Sequence, residues 1–232
     1  MKPIAEFDSR AGTYDSDLNQ ALSVSGEDKD YFARGRVAWL AKCLRSLGEE
    51  PRSAVDYGCG IGGTGIFLRR MLGVKSVVGL DVSARSLEIA RSRYRSDWIR
   101  FRSFEEFSPH GEIDLVYCNG VFHHIPVVQR GDAINYIVRS LRPGGLFALW
   151  ENNPWNPGTR YVMSRCLFDR EAVTLTPPET SGLLRAAGLQ VLRVDFLFIF
   201  PRPLKVFRVL EPWLSGFPLG AQYVVLSRKP AS

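Results

Sequence analysis

The sequence predicts an α/β fold: a three-layer, doubly wound, mostly parallel sheet of about seven strands, the last of them antiparallel. Three observations carry this expectation. Apolar runs alternate with helical patterns between residues 53 and 150, and near-continuous apolar strands belong to parallel sheets covered on both faces. The turn Asp56-Tyr57-Gly58-Cys59-Gly60-Ile61-Gly62-Gly63 joins the first such run to a helix, where glycines let the backbone approach a ligand and the helix N-terminus offers unpaired N–H groups. Two late strand-like runs, 190–200 and 222–227, flank a short Pro-rich helical piece near 204–210, as a hairpin-like end of a sheet would.

In chain order, helices are predicted at 10–20 and 29–47. The second has apolar residues at Phe32, Val37, Leu40, Ala41, Leu44 and Leu47, close to a helical period, and stops at Gly48 and Pro51. Strands follow at 53–57, 76–80, 98–102, 113–118 and 146–150. Helices lie between or after them at 62–72, 84–94, 127–141 and 178–187. Leu141-Arg142-Pro143-Gly144-Gly145 breaks the late helix before the fifth strand. With no linker, repeat or low-complexity tract, residues 1–232 are expected to form one domain: a helical cap over 1–48 and a core sheet over 49–232, with an acceptor-side insertion near 151–175.

The bulk properties narrow the function. With 45% hydrophobic and 23% charged residues, the 232-residue chain is ordinary globular material. Its net charge of +6 raises nucleic acid or acidic lipid as a partner. The densest basic stretch, 85–102, also carries Glu88 and Asp97 and reads as a solvated face. A nucleic-acid enzyme would need an added binding module or a basic strip with stacking aromatics, and neither is evident. Cys43, Cys59, Cys118 and Cys166 are widely spaced, which argues for reduced thiols and against zinc or a disulfide framework. The N-terminus lacks a signal-peptide layout and no run is long enough to span a membrane, so a cytoplasmic protein without stable membrane insertion is expected. The apolar-then-basic run 196–205 is expected to be a buried strand and a turn, lipid contact being the less favoured reading.

The glycine turn satisfies GxGxxG, and Asp81 ends the next strand where a dinucleotide fold puts its ribose-binding carboxylate. NAD is therefore one candidate. Against it stands Asp56, whose carboxylate would oppose a pyrophosphate but suits an ammonium or sulfonium group.

At this point the chain resembles the class I S-adenosylmethionine-dependent methyltransferases of the small-molecule type, whose fold is Rossmann-like. The resemblance rests on an ordered set: Phe7-Asp8-Ser9-Arg10-Ala11-Gly12-Thr13-Tyr14-Asp15, Val55 to Gly62, Gly79-Leu80-Asp81-Val82-Ser83, Asn119-Gly120-Val121-Phe122-His123-His124-Ile125, and Leu141 to Gly145. It implies S-adenosylmethionine as cofactor and S-adenosylhomocysteine as product. It also implies roles: Asp56, Gly58 and Gly60 on the methionine part, Asp81 on the ribose hydroxyls, Val82 on the adenine, Asn119 and Phe122 beside the sulfonium, and Tyr14 over the carboxylate end. Cys59 and Gly120 fall in the same segments and join the cofactor-binding set, though the Cys59 thiol reads as a small core group. The family's usual acidic residue after the third strand is missing; Ser103 as acceptor or Phe104 as stacking partner stands in its place.

His123 and His124, two of three histidines, sit at the carboxyl end of a central strand, where open α/β sheets bind ligands. An imidazole near the methyl suits general-base work on a hydroxyl, and His123 is the first choice. No metal site is expected, since adjacent residues need not point the same way and no third ligand is evident. The acceptor region is expected at 151–161, through Asn152, Asn153, Trp155 and Tyr161, with Arg165 meeting an acidic group. The resulting expectation is methyl transfer to a small molecule, most readily to a hydroxyl oxygen of a natural product, sugar or glycolipid precursor. N- or C-methylation and, further off, nucleic-acid methylation are the alternatives. A monomer or homodimer is expected.

Overall fold

The computed structural model describes residues 8, 12, 19–20, 22–166, 169 and 171–231. Helix α1 (Lys29–Leu47) opens at the Asp28 cap, whose carboxylate accepts the Tyr31 N–H, and closes at Gly48 in the left-handed conformation. The predicted helix over 10–20 falls mainly outside the described residues. From there the elements run β1 (Ser53–Tyr57), α2 (Thr64–Leu72), β2 (Ser76–Leu80), α3 (Ala84–Arg93), β3 (Ile99–Arg102), β4 (Ile113–Asn119), α4 (Arg130–Ser140) and β5 (Leu141–Asn152). The last third is α5 (Pro157–Arg165), α6 (Pro177–Ala186), β6 (Gln190–Leu197), a 3-10 helix (Arg202–Leu210), the short α7 (Glu211–Leu214) and β7 (Gln222–Arg228).

The seven strands form one sheet in the order β3-β2-β1-β4-β5-β7-β6. Strand β7 inserts antiparallel between β5 and β6, while the pairs of β1–β5 are parallel. The fold class, including the antiparallel last strand, is as the sequence predicts. Side chains alternate across the strands, so the sheet has two buried faces. Val37, Leu40 and Leu44 of α1, Leu68 of α2 and Leu87 of α3 cover the face carrying Ala54, Leu115 and Trp150. Ile134 and Ile137 of α4 and Leu184 of α6 cover the face carrying Val55, Val116 and Phe147.

Boundaries moved for local reasons. Helix α2 begins at Thr64, because Gly62 takes φ +86° and cannot be its first turn. The 127–141 helix begins as a 3-10 turn, Val127–Gln129, before α4 proper. Residues 141–145 end the helix but already belong to β5, since Leu141 pairs with Ile113. Strand β6 stops at Leu197, and Phe198 follows with φ +63°, the one non-glycine positive φ among the described residues.

The sheet order reverses between β1 and β4. The turns after β1, β2, β4 and β5 therefore open on one edge, and a crevice at such a switch point is where ligands bind in open α/β sheets.

Candidate active site

A cavity of about 520 Å³ occupies that edge. Gly58, Gly60 and Ile61 line it from the β1 turn, Asp81 and Val82 from the end of β2, and Asn119, Gly120 and Val121 from the end of β4. The β1 turn is held by backbone bonds: the N–H groups of Gly58 and Cys59 both donate to the Leu80 carbonyl. Gly58 has φ +74°, and a Cβ there would lie 2.3 Å from Val121 Cγ2, so no larger residue fits. Gly60 has φ +53° with open space where a Cβ would be. Asp81 ties the two turns together, its Oδ2 accepting from Gly60 N at 2.7 Å and its Oδ1 from Ser83 N at 2.9 Å. Each oxygen keeps a lone pair for a further donor. Asp8 reaches this corner from the N-terminal segment, accepting from Ser83 Oγ and Arg85 N.

Asp56 lies buried beneath the turn. Burial, with the nearby Asp81 charge, pushes its carboxyl up to about 7, against the pull of Arg36. Arg36 of α1 is itself buried and lines the cavity. Its Nε donates to Tyr117 Oη and its Nη1 to Gln222 Oε1, which leaves Nη2 without an acceptor among the described residues. Trp39 Nε1, one turn on, donates to Asp195 and fixes α1 against β6. The Asn119 amide oxygen is buried on the same side with no hydrogen-bond partner.

The histidines build a second cluster. The backbone N–H of Phe122 donates to Oε1 of Glu151, and Nδ1 of His123 bonds Oε2 of the same carboxylate at 2.5 Å. Nε2 of His123 lies 3.4 Å from Asp169 Oδ1, and Nε2 of His124 lies 3.6 Å from the same oxygen. With Nδ1–H given to Glu151, a neutral His123 would turn its Nε2 lone pair on Asp169. A proton on Nε2 removes that repulsion. Burial opposes the charge, yet the two carboxylates overcome it and hold the pKa up at about 10. Both ring nitrogens of His123 thus meet carboxylates, which favours the imidazolium. This weighs against its expected role as proton acceptor, because neither nitrogen is left without a partner. The reasons given against a metal are corrected too. Both imidazoles do face one carboxylate, and the three ligand-type atoms lie within 4.8 Å of one another.

Other expected residues fall differently. Phe104 lines the cavity and packs on Tyr57 with ring centroids 4.8 Å apart. Ser103 does not line it: its hydroxyl accepts from Glu106 N inside the turn. Cys59 and Phe122 are buried core residues away from the cavity wall, and Val121 takes the place expected for Phe122. Tyr14 lies outside the described residues. Asn152 lines the cavity, but Asn153 is fully buried, its amide donating to the Pro218 and Gly220 carbonyls. Trp155 is exposed against Phe196, and Arg165 stacks on exposed Tyr161 at 5.0 Å. Helix α5 does border the cavity, by its other side, through Thr159, Val162 and Met163. Glu151, Asp169 and Arg36 were missed, and so was the wall at 198–201.

The stretch that carries the first turn through the end of α4 matches a family profile described as a methyltransferase domain, over residues 54–145. A trans-aconitate 2-methyltransferase of Rhizobium etli is 31% identical over 179 residues, 71% of this chain and 68% of that protein. The chain belongs to the class I S-adenosylmethionine-dependent methyltransferases. A second trans-aconitate 2-methyltransferase, from Methylobacterium radiotolerans, is 28% identical over 171 residues, 73% of this methyltransferase and 63% of its own length. The chain thus spans less than two thirds of that relative. A solved S-adenosylmethionine-dependent methyltransferase from Mesorhizobium loti superposes with TM-score 0.58 at 21% identity, covering 81% of this chain and 96% of that one. The methyltransferase therefore uses S-adenosylmethionine. Its cavity fits this group: a glycine cradle, an acceptor pair at Asp81, an orphaned amide oxygen at Asn119 and a buried guanidinium at Arg36, with the Asp56 carboxyl buried behind the lining residues.

Proposed function

We infer that the methyltransferase alkylates an oxygen of a small molecule, with His124 as proton acceptor. Asp81 would hold the ribose hydroxyls, Val82 and Phe104 the adenine, and Asp56, Asn119 and Arg36 the charged ends of the methionine part. When bound, S-adenosylmethionine supplies a methyl group on a positively charged sulfur. The chain's own work is alignment and proton transfer. A hydroxyl needs a base at neutral pH. The observation that carries the reading is the position of His124: its side chain lines the cavity with Asn119, Gly120 and Val121, and its Nε2 lies 3.6 Å from Asp169 Oδ1, a carboxylate that His123 approaches from the other side.

Labelled methyl transfer across alcohols, phenols, carboxylates and amines tests this. With a hydroxyl acceptor, His124→Ala should lower kcat by roughly 10²- to 10⁴-fold, with cofactor affinity kept. Dialysis against a chelator separates two occupants of the His123–His124–Asp169 group: with a proton shared between His123 and Asp169 turnover is unchanged, and a metal ion held there would make it fall. Full turnover in His124→Ala would sink the base assignment.

A second reading has one observation in its favour: the relatives named as trans-aconitate 2-methyltransferases. By that name their acceptor is a carboxylate, which needs no base, so His124→Ala would then spare kcat. The cavity favours the first reading. Lys29, Arg36 and Arg208 line it against Glu27, Asp81 and Asp169, with Arg208 paired to Glu27, so it offers a polyanion little excess of positive charge.

A further inference from the structure

The polypeptide between 202 and 219 is built inside out. The 3-10 helix Arg202–Leu210 contains no buried residue, and α7 after it contains none. Eight of the fifteen exposed large apolar residues among the described residues fall within 204–219. Val206 and Trp213 are each 73% exposed. At three residues per turn, with a kink at Leu204, the segment has three sides. Arg202, Lys205 and Arg208 share one. Val206 and Val209 share the second, and Phe207 and Leu210 the third.

On the polar side Arg202 and Arg208 turn to the protein, while Lys205 stays exposed. Arg208 donates to Glu27 Oε1 and to the Phe200 carbonyl, and Arg202 donates to the Gly26 carbonyl. Glu211 turns the same way, accepting from the N–H groups of Ile199 and Phe200. The Val206 and Val209 side is thereby left facing water, and Phe207 and Leu210 stay about half exposed although Phe207 packs on Phe200, an arrangement that costs free energy unless something covers it.

We propose that this segment is a membrane-docking surface, and that its occupant is an anionic phospholipid bilayer from which the methyltransferase takes an amphiphilic acceptor. Three features select a bilayer. The apolar residues lie on two sides of a protruding helix and include Trp213 and Phe207, the aromatic type that settles at the interface. Lys205 is exposed beside them on a chain of net charge +6, which complements anionic headgroups. The segment is also continuous with the site: Phe198 to Pro201 and Arg208 line the cavity, so an apolar chain leaving the bilayer meets an apolar wall that leads to His124. No helix among the described residues is long and apolar enough to cross a membrane, so the contact is peripheral. The acceptor half of the proposal rests on the site reading above.

The test is co-sedimentation of the full chain with vesicles of phosphatidylcholine alone and of phosphatidylcholine mixed with phosphatidylglycerol, alongside the double variant Val206→Asp/Trp213→Asp. The wild-type chain should pellet with the mixed vesicles and less with the neutral ones. The variant should lose about tenfold or more in partitioning, since surface binding scales with buried apolar area. Titration of both forms with S-adenosylhomocysteine should give equal affinities, which shows that the variant is folded. Wild-type protein that stays in the supernatant overturns the proposal, as does a variant that pellets equally. So does a wild-type dimer that the variant dissolves while vesicles leave it unbound. If neither form binds S-adenosylhomocysteine, the site reading fails and pelleting alone decides the docking.

Discussion

The two halves of the cavity are made of different material. The half we assign to the cofactor, at the ends of β1 and β2, is mostly backbone: two N–H groups on one carbonyl, a carboxylate bridging two turns, and Gly58, where no Cβ fits. The half we assign to the acceptor, at the ends of β4 and β5, is mostly side chains drawn from far apart: His124, Asp169, α5, and the 198–201 wall pinned by Arg208 and Glu211. A cofactor common to a family calls for a fixed cradle. An acceptor peculiar to one enzyme calls for parts that can change without disturbing it.

If that division holds, substitutions in the two halves should fail in different ways. The largest effect is expected at Glu151. Glu151→Ala strands the buried His123 cation and should cost about 3–5 kcal/mol of stability, read as a lowered midpoint in urea. Asp81→Ala comes next. It removes a charged acceptor and frees the Gly60 N–H, and calorimetry should show cofactor affinity falling roughly 30- to 150-fold, with the fold retained.

A smaller effect is expected from pH. The Asp56 carboxyl is raised to about 7, so the cofactor-free fold binds that proton more tightly than the unfolded chain does. The contribution to stability therefore declines as pH rises from the unfolded value near 4 towards 7. An ammonium placed beside it favours the carboxylate, so cofactor binding should be about tenfold weaker at pH 6 than at pH 8, with proton release. Asp56→Asn should flatten that profile. Trp155→Ala is expected to do least, with acceptor KM changing by less than about twofold, because the ring lies outside the cavity. A large rise in KM would move the acceptor wall outward and redraw the comparison.

Sequence legibility follows the same division. Gly58, Gly60, Asp81 and Asn119, which the structure brings to one cavity, stood out because strand ends and glycine turns leave local signals, and the parallel sheet places those ends side by side. Ser103 and Phe122 fall off the cavity wall because a one-residue rotation about the chain decides whether a side chain faces the crevice. Arg36 was invisible for another reason. On a helix with an apolar period it reads as surface charge, and only packing against a tyrosine 81 residues away reveals it. Asp169 had no local signal either, since its meaning comes from the two imidazoles it meets. The helical piece near 204–210 was legible, but not its orientation, because its composition is mixed and only the hydrogen bonds of Arg202 and Arg208 show which side is turned in.

Glu151 accepts from the Phe122 backbone with one oxygen and from His123 with the other, while its own strand pairs with β7. One carboxylate therefore sets the shape of the turn between the cofactor half and the acceptor half. Shortening it to Asp would draw both oxygens back together, so the loss would not be graded. For anyone wishing to redirect this enzyme to a new acceptor, position 151 is a boundary condition, and the variation belongs in α5 and beyond.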